Sequence, residues 1–139
     1  MPVIIAEENF ILSQSEGDAL WLEVQRECHC PDDIVTIKGV DEEEIRRLNR
    51  QYRKLDKVTN VLTFSYGEGE HDIAICLAVA KREAAERKMT VHSYMIMLVT
   101  HALVHAAGWD HEASAEEAKK ISAVEDRIRR TQGLPPVRW

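Results

Sequence analysis

Two periods of hydrophobic and polar residues run along this chain and divide it into strands and helices. Short β-branched or alternating runs predict strands at residues 3–5, 34–37, 60–66 and 72–77. Apolar residues that recur every three or four positions predict helices before Pro31, after Asp41, over 78–89, over 91–107 and after Ser114. This order predicts an α+β fold, a small mixed sheet of about four strands covered by about five helices. The short segment 67–70 joins the last two strands, so we expect an antiparallel hairpin.

Polar residues that can cap a helix precede four of these helices. The candidates are Ser15 or Asp18 for the first, Asp41 for the second, Thr90 for the fourth and Ser114, in a capping box with Glu117, for the last. Apolar side chains at helical spacing are expected to face the core: Leu20, Trp21, Val24 and Cys28 in the first helix and Ile121, Val124 and Ile128 in the last. Both helices therefore present one apolar face to the sheet.

The helix predicted over residues 91–107 is apolar on nearly every face. A helix of this kind belongs in the middle of a protein, where neighbours cover all of its sides. Its last turns carry His101 and His105. The two histidines therefore stand on a buried, rigid support, which is what a precise site requires.

The helix after Asp41 has two faces of different kinds. Apolar residues at core spacing are Ile45, Leu48, Tyr52 and Leu55, and basic residues on another face are Arg46, Arg50 and Arg53, with Arg47 and Lys54 alongside. This stripe is the only concentrated positive surface in the sequence. It is either a solvated face paired with the upstream glutamates or a surface that binds phosphate.

Composition restricts the class of protein. At 139 residues, 45% hydrophobic and 30% charged, the sequence predicts one soluble domain over 1–139 with a flexible tail over 132–139. No signal peptide or long apolar run is seen, so we expect a cytoplasmic protein that does not enter the membrane. The net charge of −6 disfavours non-specific coating of nucleic acid. Cys28, Cys30 and Cys76 lack the spacing of a disulfide framework and are expected to be thiols.

Three histidines in the stretch HALVHAAGWDH have the spacing of metal ligands. His101 and His105 lie one helical turn apart, and Gly108 can turn the chain so that His111 reaches the same ion. This is the spacing of the elongated zinc motif of one class of metallopeptidases. We therefore expect one zinc ion per chain at the C-terminal end of the central buried helix, with a position open to water.

The residue after the first histidine changes the expected reaction. In the peptidase motif a glutamate at that position acts as general base, and here it is Ala102. Phosphoryl transfer suits such a site better, since a metal can polarise a phosphate and an arginine can hold the developing charge. Asp110, beside His111, could orient a ligand by hydrogen bonding to it or simply shape the turn.

With HALVHAAGWDH, LNRQYRKLDKVTNVLTF (48–64) and HDIAI (71–75), the chain resembles the YbeY family of bacterial metal-dependent endoribonucleases in ribosomal RNA maturation. The resemblance covers about residues 40–131 and implies that His101, His105 and His111 bind zinc. It also implies a functional role for Arg53 in the tyrosine-arginine pair. The chain departs from the family pattern at Ala102, Trp109, Val58 and His71 and in the short loop before His71.

The resemblance leads to two hypotheses of different classes. In the first, the protein is a single-strand-specific endoribonuclease of ribosomal RNA processing and ribosome quality control, in which His101 holds the metal that activates water and Arg53 binds phosphate. Arg46, Arg50, Thr59 and Asn60 would line the RNA path. In the second, the zinc is structural, with a fourth protein ligand such as His71, and the protein assists assembly of the small ribosomal subunit beside other assembly factors. A metallopeptidase is a third, weaker reading because of Ala102.

Overall fold

A computed structural model describes residues 3–5, 12–28, 33–66, 69–107 and 115–131 of the chain. The strands in these ranges are β1 (Val3–Ile5), β2 (Ile34–Val40), β3 (Val61–Tyr66) and β4 (Glu70–Cys76). The helices are α1 (Gln14–Cys28), α2 (Glu42–Arg53), α3 (Leu77–Glu86), α4 (Val91–Ala106) and α5 (Ala115–Thr131). The predicted tail over 132–139 lies outside the described residues.

The strands form one mixed sheet in the order β1-β2-β4-β3. β2 runs parallel to β4, and β3 pairs with β4 in the antiparallel sense, as the hairpin prediction required. The main part of the sheet has three strands, β2, β4 and β3. The edge strand β1 adds only three residues, paired in parallel with β2. The α+β class, the mixed sheet and the five helices expected from the sequence are thus found. Of the strands expected, the first contributes far less pairing than the other three.

Alternation along β4 divides the apolar residues between two layers. Ile73 and Ile75 face the larger core under α1, α4 and α5, while Ala74 and Cys76 face a smaller one under α2. The larger core surrounds α4, whose residues from Tyr94 to Thr100 are all buried. The prediction of a central buried helix is confirmed. None of the helices in the described ranges is long and apolar enough to cross a bilayer.

The helix starts agree with the predicted caps except in α1. The Asp41 side chain accepts from the Glu44 amide at 2.8 Å, and that of Thr90 accepts from the Ser93 amide at 3.1 Å. In α1 the cap is Ser13, so the prediction of Ser15 or Asp18 is wrong. Ser13 caps the helix because Glu16, three residues later, completes a capping box with it. Ser114, the predicted cap of α5, lies outside the described residues.

The apolar face of α2 is shorter than its sequence suggests. Ile45 is buried and Leu48 packs beside it, but Tyr52 is 50% exposed and Leu55 38% exposed. The end of α2 extends beyond the small core, so these two side chains are not covered. The Tyr52 ring instead packs against the Phe64 ring of β3, with centroids 4.8 Å apart.

Candidate active site

The C-terminal end of α4 brings two imidazoles together. His101 and His105 are one turn apart, and their Nε2 atoms lie 3.2 Å from each other. The rings meet edge to face, at an interplanar angle of 74°. Because α4 is buried along most of its length, this spacing is set by a helix that has little freedom to move.

Glu125 of α5 fixes the orientation of the first imidazole. Its Oε1 lies 2.9 Å from Nδ1 of His101, and the residue is only 1% exposed. An ionised carboxylate can only accept, so Nδ1 carries the proton and the Nε2 lone pair of a neutral His101 is directed at His105. A carboxylate behind a histidine in this way is typical of metal ligands.

The paired histidines have the spacing that two ligands of a zinc ion require. Nitrogen ligands about 2.0–2.1 Å from a tetrahedral zinc ion lie about 3.3 Å apart, close to the observed 3.2 Å. Within the described ranges no group of three or more His, Cys, Asp or Glu side chains is arranged to hold a metal. The predicted third ligand, His111, and the neighbouring Asp110 lie outside those ranges.

Both histidines open into a cleft of about 530 Å³ between β3 and α4. Its described lining comes from the end of α2, the segment before β3, β3 itself and α4: Arg53, Thr59, Asn60, Val61, Leu62, Thr63, Ser65, Leu98, His101, Ala102 and His105. The structure thus brings Arg53, Thr59 and Asn60 to the same cleft as His101 and His105. No carboxylate belongs to this part of the lining, and Ala102 stands where the peptidase motif has its glutamate.

Arg53 reaches the cleft because α2 ends at that residue. Lys54 adopts the left-handed conformation, with φ of 60°, and its amide donates to the Arg50 carbonyl. The buried Asn49 side chain then donates to the Lys57 carbonyl at 3.0 Å, which holds the following segment against the helix. The guanidinium remains exposed and no ion pair of Arg53 is found among the described residues.

The other predicted basic residues of α2 lie outside the described lining of the cleft. Arg46 pairs with Asp56 through both carboxylate oxygens, at 2.9 and 3.3 Å, and Arg50 lies 3.8 Å from the same carboxylate. The hydrogen bond from Arg46 is the main reason that the pKa of Asp56 is lowered. The basic stripe is therefore divided: its end faces the cleft, while its earlier part is paired at the surface.

Asn60 has a structural partner as well as a place in the lining. Its amide donates to Glu83 at 3.0 Å, and the Tyr94 hydroxyl donates to the same carboxylate oxygen at 2.7 Å. Burial first, and then this hydrogen bond, raise the pKa of Tyr94. Asn60 thus ties the wall of the cleft to α3 and α4.

His71 is placed differently from His101 and His105. Its Nδ1 lies 2.8 Å from the Ser65 hydroxyl and its Nε2 lies 2.8 Å from Asp33. With both ring nitrogens hydrogen-bonded, His71 has no lone pair free to serve as a fourth ligand in this arrangement.

Sequence reasoning missed Glu125, although a signal for it was present. Glu125 lies four residues after Ile121 and three before Ile128, so it occupies the face of α5 predicted to be apolar. A single acid on such a face must have a buried partner. The partner is His101, which is 24 residues earlier in the chain.

The fold and the cleft define a class: a small α+β protein with paired histidines at the end of a buried helix. A solution structure of a Thermotoga maritima protein is similar, with a TM-score of 0.63 and 28% identity, covering 94% of this chain and 91% of that one. The model of the endoribonuclease YbeY family matches residues 14–133. The chain belongs to the YbeY family.

Relatives named endoribonuclease YbeY agree with this membership. The Paracidovorax citrulli protein is 42% identical over 106 residues, covering 74% of this chain and 70% of that protein. The protein of Acidovorax sp. strain JS42 is 37% identical over 119 residues, covering 84% and 76%. The matched part falls to 50% of the relative's length in Cupriavidus necator. The resemblance seen in the sequence motifs is thereby confirmed.

Proposed function

We propose that this protein is a zinc-dependent endoribonuclease that cleaves single-stranded RNA during ribosomal RNA processing and ribosome quality control. The observation that carries the proposal is one cleft in which two imidazoles share a lining with Arg53, and one of them, His101, is hydrogen-bonded to the buried carboxylate of Glu125. Membership in a family named for endoribonuclease activity supports it. The proposed partners are ribosomal RNA, the small ribosomal subunit and its assembly factors in the cytoplasm.

His101, His105 and His111 would hold one zinc ion. A zinc ion with three imidazole ligands and an open position supplies Lewis-acid chemistry at a phosphodiester. Glu125 would keep His101 in the tautomer whose Nε2 carries a lone pair for the ion. Asp110, next to His111 in the sequence, is proposed to support that ligand or its turn.

Arg53 would bind the phosphate. A guanidinium can donate two parallel hydrogen bonds to phosphate oxygens, and it stabilises the charge that develops on them during cleavage. Thr59 and Asn60, in the same lining, would contact the RNA strand. Arg46 and Arg50 would act at the mouth of this path, where release from Asp56 makes them available to phosphates outside the cleft.

The arrangement favours catalysis over a purely structural zinc site. A structural zinc ion is enclosed by four protein ligands, whereas a catalytic one keeps a position for water or substrate. His71, the fourth ligand considered from the sequence, is engaged by Ser65 and Asp33 instead. A peptidase role would need a general base, and the described lining offers no carboxylate.

The test is cleavage of a ribosomal RNA fragment that contains paired and unpaired regions. We expect the wild type to cut the unpaired regions, a chelator to abolish cutting, and His101→Ala to reduce it to the chelated level. Arg53→Ala should lower the rate about a hundredfold by removing transition-state stabilisation. Arg26→Ala is the matched control, because that exposed arginine of α1 pairs with Glu23 and lies outside the described cleft lining.

Two results would contradict the proposal. One is cutting that persists in His101→Ala. The other is a purified wild type that binds zinc but cuts neither paired nor unpaired RNA, which would favour the structural-zinc hypothesis.

A further inference from the structure

A chain of hydrogen bonds leads from the cleft into the sheet. The Ser65 hydroxyl lies 2.8 Å from Nδ1 of His71, and Nε2 of the same ring lies 2.8 Å from Asp33. Ser65 is exposed and lines the cleft, whereas His71 is only 8% exposed. A surface hydroxyl is thus connected to a buried imidazole and a carboxylate.

The sheet register holds these three residues in place. Ser65 and His71 are direct partners across β3 and β4. Asp33 immediately precedes β2, where the Ile34 amide donates to the Gly69 carbonyl at 2.8 Å. The Trp21 indole donates to the Asp33 carbonyl at 3.2 Å and fixes that residue from the other side. The relative positions of Ser65, His71 and Asp33 are therefore set by the backbone pairing of the strands.

The carboxylate determines the direction in which the hydroxyl points. An ionised Asp33 can only accept, so Nε2 of His71 carries a proton. In the neutral imidazole Nδ1 is then an acceptor, and the Ser65 O–H must point at it. The hydroxyl oxygen of Ser65 keeps its two lone pairs and can accept a hydrogen bond from a group in the cleft. Ser65 is an acceptor there, whereas an unconstrained serine could either donate or accept.

An acceptor in this position selects one kind of group on a nucleic acid. The Ser65 oxygen disfavours phosphate oxygens, because they are also acceptors. It favours a hydrogen-bond donor carried by the nucleic acid. Among groups common to every ribonucleotide, whatever its base, the 2′-hydroxyl is the donor that separates RNA from DNA. Because Arg53 in the same lining suits the phosphate, the sugar is the neighbouring group for Ser65 to contact.

We propose that Ser65, held as an acceptor by His71 and Asp33, binds a ribose 2′-hydroxyl and makes the cleft selective for RNA over DNA. The proposal rests on the proposed nuclease function, since it concerns the same cleft. It concerns recognition of the sugar rather than cleavage, so binding measurements can test it separately.

The test compares three fluorescent single-stranded oligonucleotides with identical bases, including uracil, and with ribose, deoxyribose or 2′-fluororibose sugars. Fluorescence anisotropy is measured with the full-length protein as purified, at about pH 8, above the ordinary pKa of imidazole. We expect the ribose form to bind more tightly than the other two, because only it carries the donor. Ser65→Ala should lower the ratio of ribose to deoxyribose affinity by about two- to tenfold, as expected for one hydrogen bond.

Two variants test whether RNA selectivity depends on the oriented hydroxyl of Ser65 or on any polar side chain in the cleft lining. Ser65→Thr keeps the hydroxyl on a strand and should preserve the ratio. Thr63→Val is the matched comparison, because Thr63 lies on the same face of β3 and lines the same cleft but has no imidazole behind it. It should lower the ratio less than Ser65→Ala does.

The possible outcomes distinguish this inference from the function on which it rests. An unchanged ratio in Ser65→Ala, an equal loss in Thr63→Val, or 2′-fluoro binding as tight as ribose binding overturns the role of Ser65. RNA cleavage in the same preparation would then leave the nuclease function standing. Failure of the wild type to bind either RNA or DNA overturns both.

Discussion

Two histidines of this protein owe their hydrogen-bonding roles to buried or half-buried acids. Glu125 holds the proton of His101 on Nδ1, so that the lone pair on Nε2 faces His105. Asp33 holds the proton of His71 on Nε2, so that Nδ1 accepts from Ser65. In each case the carboxylate can only accept, which decides the nitrogen that keeps its proton. The same kind of pair thus supports two different tasks, one at a proposed metal site and the other at a hydroxyl.

Replacing Glu125 tests the first of these roles. Glu125→Gln keeps the size of the side chain but removes the charge that holds His101, so zinc affinity should fall about 10- to 100-fold. Competition with a chromophoric chelator measures this change. Glu116→Gln, at an exposed position of the same helix, should bind zinc as the wild type does. Equal affinities for the wild type and Glu125→Gln would contradict the role given to the carboxylate.

At the scale of the element, the start of α1 depends on a capping box. The Ser13 amide donates to Glu16 at 3.0 Å, and the Glu16 amide donates to the Ser13 hydroxyl at 3.2 Å. The backbone hydrogen bond from Ser13, followed by the contact with His92, lowers the pKa of Glu16 below its usual 4.5. The charged carboxylate is therefore favoured in the folded protein more than in the unfolded chain.

This shift predicts a pH dependence of stability. Because the folded pKa is lower, Glu16 contributes stability above pH 4.5, and that contribution is lost as the pH falls through the folded value. Glu16→Gln should be less stable than the wild type near neutral pH, and the difference should shrink in acid. Urea unfolding at several pH values measures it, with the exposed Glu43→Gln as control. A difference that does not change with pH would refute the assignment.

At the scale of the whole molecule, the proposed metal joins parts that are distant in sequence. α4 carries His101 and His105, α5 supplies Glu125, and the cleft is closed on its other side by β3. An ion that binds only the folded arrangement stabilises the entire fold by mass action.

Zinc should therefore raise the melting temperature. At a free concentration about 100 times the dissociation constant the stabilisation is about 2.7 kcal/mol, which corresponds to roughly 10 °C for a domain of this size. Differential scanning calorimetry with and without zinc measures the shift. His105→Ala should show none, and His92→Ala, at the exposed start of the same helix, should retain it. An equal shift in His105→Ala would place the zinc elsewhere.

The prediction of the site from the sequence was strongest where the geometry is local. His101 and His105 were expected to converge because helical spacing alone places residues four apart on one face. Arg53 was expected in the site, and the structure brings it into the cleft. Arg46 and Arg50 are also predicted to line the RNA path. In the structure both lie near Asp56 and outside the described cleft lining, which Arg53 reaches because α2 ends there. Nothing in their spacing distinguishes the three.

By itself, the sequence determined the helices, the hairpin and the buried character of α4, because periodicity, caps and short turns act over a few residues. Only the tertiary structure decided that Glu125 stands behind His101, that Ser65, His71 and Asp33 form one hydrogen-bonded chain, and that Tyr52 remains exposed. These depend on strand register and on the packing of distant segments. Such contacts join residues far apart in sequence, and no local pattern specifies them.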